Sequence, residues 1–149
     1  MFEHIGFPDQ PTMTAAIHAP IASMYNHRTG RQLSADDIAV RGFCELATGK
    51  AVELLAKLQP VTMRYNGKST IDNHFFALVV SGSSIEPEPI YVDPTWKQFI
   101  CYGEPNAHPE LPHTLIGTLA EITPVLTDAD ALGLLTIYEQ AQPMTFYVQ

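Results

Sequence analysis

Apolar positions recur along the chain with two periods, and the change from one to the other divides it into elements. Cys44, Ala47, Ala51, Leu54, Leu55 and Leu58 form one stripe at helical spacing, which predicts a helix packed on one side. Pro60 ends that helix, because proline has no N–H to continue it. Val61-Thr62-Met63-Arg64-Tyr65 then alternates as a strand does, and Asn66-Gly67 supplies a turn, since both residues tolerate positive φ. Two more runs rich in β-branched and aromatic residues follow, His74 to Val80 and Ile90 to Asp93, with Ser, Glu and Pro between them. The three runs predict an antiparallel meander that receives the helix.

Either side of this block the pattern is weaker. Residues 1–33 are punctuated by Pro8, Pro11 and Pro20, which favours an extended or loosely helical arm over a long helix. Ser34 before Ala35-Asp36-Asp37 is a helix start with acids in the first turn, giving about two turns before Gly42 re-aims the chain. After Asp93 the run to Tyr102 is apolar enough to be partly buried, and 103–113 is a Pro-rich loop. Residues 115–125 read equally as strand or short helix. A helix is expected over Asp128 to Gln140 and a final edge strand over Met144 to Val148. The expected class is α+β: the helix carrying Cys44 packed on a small antiparallel sheet. It is expected as a single domain over 1–149, with a core at about 34–102, an N-terminal arm over 1–33 and a C-terminal helix and strand within 111–149.

Charge narrows the partners. The net charge is −8, with 16 acids against 8 Lys and Arg, so no basic stripe exists to neutralise phosphates and a nucleic-acid partner is not expected. The N-terminus has no basic region followed by an apolar run, and no apolar stretch approaches spanning length. A soluble protein made in the cytoplasm and not bound to a membrane is expected, with delivery to another cell open only by a route independent of a signal peptide. In that compartment Cys44 and Cys101 stay thiols. The six histidines, at 4, 18, 27, 74, 108 and 113, show no metal-ligand spacing, so neither a metal nor another cofactor is expected.

Candidate chemistry concentrates around the two later strands. His74 opens one and Asp93 closes the next, so an antiparallel pairing brings them close. Whether they share a face depends on register: with Val79 opposite Ile90 they point the same way, and a slip of one residue separates them. Cys44 stands at the N-terminus of its helix, where unpaired N–H groups and the positive end of the dipole favour a thiolate. Asn73 and Trp96 flank this constellation as substrate-groove candidates, with a core anchor the equal alternative for Trp96.

A helix-opening Cys44, then His74 in His-Phe-Phe-Ala-Leu-Val, then Asp93-Pro94-Thr95-Trp96-Lys97-Gln98-Phe99 resembles the papain-like and transglutaminase-like superfamily. The likeness is greatest to compact bacterial papain-fold toxins and effector glutamine deamidases, and covers roughly 42–99. It implies cysteine-dependent acyl transfer on an amide: deamidation of a protein glutamine, peptide hydrolysis or transamidation. Cys44 would be the nucleophile, His74 the base and Asp93 the group orienting the imidazole, with a protein or peptide bearing a glutamine or other amide as substrate. The backbone N–H of Cys44 suits an oxyanion. Papain-like proteases place a Gln shortly before the nucleophile; the nearest here is Gln32, which leaves Asn26, Gln98 or another backbone amide as the second donor. The competing expectation is a non-catalytic acidic binding protein, of the secretion-chaperone or immunity type, indifferent to loss of Cys44.

Overall fold

The computed structural model describes residues 6–67, 73–80, 88–101 and 104–144. The chain begins as helix, α1 over Gln10–Met13, a wide π turn over Thr14–His18 and α2 over Ala19–Thr29. This corrects the expected loose arm. Asp9 caps the start by accepting from Thr12 N, and Pro11 sits in the first turn, where a missing N–H costs nothing. Pro20 is accommodated because the preceding turn is widened: Ala19 N–H reaches back to Thr14 O, five residues away. The prolines therefore shape this helix without breaking it. Gly30, at φ 74, ends α2 with its N–H on Asn26 O, a left-handed cap that glycine adopts without strain.

Ser34 caps α3, Ala35–Ala39, in a reciprocal box with Asp37. After a turn through Gly42, α4 runs Cys44–Leu54, so the helix begins at the cysteine. It stops before Pro60: a short 3-10 turn over Ala56–Leu58 intervenes, and Gln59 takes a left-handed conformation at φ 53.

The meander forms as expected, β1 Val61–Tyr65, β2 His74–Val80 and β3 Pro89–Asp93, each antiparallel to its neighbour. The β1–β2 connection is no two-residue hairpin, since Tyr65 pairs with His74. Gly67 N–H bonds Asn73 Oδ1 at 3.1 Å, and the rest of the Asn66-Gly67 connection lies outside the described residues. Then come α5 Gln98–Cys101, β4 Leu115–Gly117, α6 Leu119–Asp128, α7 Gly133–Gln140 and β5 Gln142–Pro143. Residues 115–125 are thus both strand and helix, switched by Thr118, which caps α6 in a box with Glu121. Asp128 ends α6 and α7 begins only at Gly133; the acids expected to open the last helix belong to the turn before it. The edge strand is placed at Gln142–Pro143, earlier than expected; Met144 N–H still bonds Thr62 O, while 145–149 lie outside the described residues.

The sheet order is β4-β3-β2-β1-β5, with helices on both faces. Alternation along β2 sends Ala77 and Val79 to one face, where they meet Ile17, Ile21, Ala47 and Ala51 of the N-terminal helices. Phe76 goes to the other, with Trp96, Ile122, Leu126 and Tyr138. Helix α4 therefore packs on β2 and β1 across one face. Among the described residues no helix is long and apolar enough to cross a membrane.

Candidate active site

Val79 pairs with Ile90, the register that puts His74 and Asp93 on one face. His74 Nε2 lies 2.6 Å from Asp93 Oδ2, and neither side chain is exposed. A carboxylate this deep needs its lone pairs filled. Tyr138 O–H donates to Oδ2 at 2.7 Å and Thr95 N–H to Oδ1 at 3.1 Å. Burial and the charge of Asp93 hold the Tyr138 hydroxyl well above its usual range, so it remains a donor. The imidazole is walled by Phe99, edge-on with ring centroids 4.9 Å apart, and by Phe76 at 6.2 Å.

Burial alone would depress the basicity of His74. It is outweighed by the charge and hydrogen bond of Asp93 and by hydrogen-bond and electrostatic interaction with Cys44, which together raise the ring to about 9. Nε2 is committed to Asp93, which leaves Nδ1 as the ring's other polar atom. Gln98 Nε2 lies 3.1 Å from that same Nδ1.

Cys44 reaches this point from the other side of the sheet. Its helix covers the face carrying Ala77, whereas His74 shares the face of Phe76, two residues on. They meet where β2 begins, with Cys44 Sγ 4.0 Å from the carbonyl oxygen of Asn73. Cys44 as a residue is 9% exposed and lines a cavity of about 530 Å³ together with Gly42, Glu45, Arg64, Asn73, Phe75 and Gln98. A cavity of about 630 Å³ on the far face is lined, among the described residues, by Pro89, Tyr91, Leu119, Thr123 and Pro124 with Glu88 as the charged one, and by no cysteine or histidine. The cavity of about 530 Å³ is the one that adjoins Cys44 and Gln98.

The remaining candidates divide. Asn73 and Gln98 line the cavity. Trp96 does not: it is fully buried in the core, its Nε1–H on Pro112 O at 3.0 Å, which makes it the anchor and not the groove wall. Asn26 is spent on Leu33, bonding both its N–H and its carbonyl, and is therefore no oxyanion donor. Lys97 is equally buried and donates to His108 O and Leu111 O, tying the following loop to the Asp93 turn. Cys101 is buried, on a short helix.

Tyr138 and His18 join the site without a mark in the sequence pattern. Tyr138 lies within the helix expected over Asp128 to Gln140; a tyrosine there, with a hydroxyl that burial would orphan, is the signal for a buried acceptor. His18 Nε2–H donates to Pro94 O at 2.7 Å, fixing the backbone next to Asp93 from the N-terminal helix, and nothing local in the sequence links these positions. Among the described residues no group of three or more His, Cys, Asp or Glu side chains is arranged to hold a metal ion. No protein-family model, curated protein or solved structure matches the chain.

Proposed function

We propose that the protein is a cysteine-dependent hydrolase or acyl transferase acting on amide bonds, of the glutamine-deamidase or papain-like protease kind, with a protein or peptide substrate. The observation that carries this reading is the buried 2.6 Å contact between His74 and Asp93, in a ring that also interacts with Cys44 where the thiol meets a cavity. Asp93 fixes the ring through Nε2, so the proton exchanged with substrate travels on Nδ1. The Cys44 thiolate forms a bond to the amide carbon while the carbonyl π electrons move to oxygen. On collapse the C–N bond breaks, and the leaving nitrogen takes the Nδ1 proton of the imidazolium. Ammonia or an amine departs, leaving a thioester. A water, or an acceptor amine, then gives its proton to His74 as it attacks, and the thiolate leaves.

The oxyanion forms at the start of α4, where Cys44 N–H is one of the donors that a helix leaves unpaired. Gln98 is the second. While Nδ1 carries a lone pair it accepts from the Gln98 amide N–H; once Nδ1 is protonated the amide must present its oxygen instead, turning its N–H groups toward the cavity. Protonation of the ring and release of an oxyanion donor are thereby the same event.

Iodoacetamide labelling, read by peptide mass spectrometry, tests the reading. Cys44 should react faster than an unstructured thiol at neutral pH, and His74→Ala should remove the advantage. Labelling no faster than a free thiol would overturn the proposal.

A further inference from the structure

Among the described residues Arg64 is a cation without an acid. It stands on β1 directly opposite Phe75, and its guanidinium carbon lies 5.5 Å from the centre of that ring. Both residues line the same cavity as Cys44. Its Nε–H is buried with no hydrogen-bond partner, and among the described residues it makes no ion pair. Arg41 also has a buried Nε–H with no hydrogen-bond partner, but its guanidinium has Asp37 at 3.8 Å, and the buried Lys97 donates to two carbonyls. In a chain where acids outnumber Lys and Arg 16 to 8, an unpaired guanidinium beside a nucleophile calls for an explanation.

We propose that Arg64 receives a carboxylate of the substrate, so that the amide attacked by Cys44 belongs to a molecule bearing that carboxylate within reach of the cavity. The inference rests on Cys44 being the nucleophile. A guanidinium stacked on an aromatic face keeps its N–H edge free, and that edge matches a carboxylate with two parallel hydrogen bonds. Phosphate fits the fork too, but a dianion facing one cation, Glu45 in the same lining and a net charge of −8 is poorly matched. The acidic surroundings repel anions in general, which makes Arg64 the point where an anionic substrate is admitted. The carboxylate belongs either to an acidic side chain or to a chain terminus.

The test compares two alkylating probes of similar size, iodoacetate and iodoacetamide, at Cys44 in the full chain, each rate taken relative to a small peptide thiol. The iodoacetate-to-iodoacetamide ratio should be higher at Cys44 than at the peptide thiol. It should fall about threefold or more in Arg64→Gln, with Arg64→Lys between, and fall in wild type as salt is raised. The salt series carries the test should Arg64→Gln not fold. Dipeptides distinguish the sources: glutaminyl-glutamate blocked at both ends, or glutaminyl-glutamine with a free terminus, should slow iodoacetamide labelling where the fully blocked neutral dipeptide does not. A ratio indifferent to both Arg64→Gln and salt, with Cys44 still labelled rapidly by iodoacetamide, would overturn the role of Arg64 alone. Slow iodoacetamide labelling would instead remove the nucleophile and this inference with it.

Discussion

Asp93 shows how much a single side chain can be asked to do. Its two oxygens accept from His74, Tyr138 and Thr95 N–H in a place no water reaches. That triple acceptance is what allows a full carboxylate to sit in the core, and it fixes the direction in which the imidazole points. Tyr138→Phe deletes one donor while keeping the ring that packs on Phe76. We expect it to destabilise the fold by about 1–3 kcal/mol in chemical denaturation, with slower Cys44 labelling because the carboxylate gains freedom to turn. A variant as stable as wild type would mean that the hydroxyl is idle. At this scale the sequence was informative about the placement of Cys44, His74 and Asp93, which the fold brings together at the start of β2. It was silent on Tyr138 and Arg64, because a tyrosine in an apolar helix stripe and an arginine in a strand are ordinary until their neighbours are known.

Elements with one strong local cause were legible, and those governed by an exception were not. The alternation of β1, the β-branched runs of β2 and β3, the Ser34 cap and the start of α4 at Cys44 all stand where their patterns put them. The N-terminal helix was hidden because proline usually stops a helix, and a π turn that absorbs Pro20 has no sequence mark as plain as the proline itself. The last helix starts later than its acids suggest, because Asp128 closes α6 and Asp130 takes the left-handed turn before α7. The hidden helix matters to the site through His18. Burial holds this ring down at about 4, against the pull of its bond to Pro94 O and with a repulsive contribution from His113 and an attractive one from Asp36. With the folded value lowered below the ordinary 6.5, the contribution of His18 to stability is present above 6.5 and is lost as pH falls toward 4. Thermal unfolding should show that loss in wild type and a shallower acid slope in His18→Gln; identical slopes would assign the acid sensitivity to other groups.

Across the whole molecule the sheet separates the three candidate groups and then reunites them. Cys44 belongs to the layer built by the N-terminal helices, His74 and Asp93 to the layer containing Trp96 and Tyr138, and the two meet only where β2 begins. Such an arrangement makes the geometry a property of both cores, so loosening either one loosens the site. The sequence could suggest that a helix meets a sheet; which face each group took depended on the Val79–Ile90 pairing, and no turn type between β2 and β3 fixed it in advance. The union has an electrostatic signature, because the ring of His74 feels Asp93 from one layer and Cys44 from the other. Its folded value lies above its ordinary one, so the stability it contributes is present below 6.5 and is lost as pH rises through about 9.

The most direct measurement is an NMR titration of the His74 ring in wild type and in Cys44→Ala. The account predicts an imidazolium at neutral pH that gives up its proton near 9 in wild type and at lower pH once the sulfur is gone. A ring that titrates at its ordinary 6.5 and is unmoved by the substitution would contradict it.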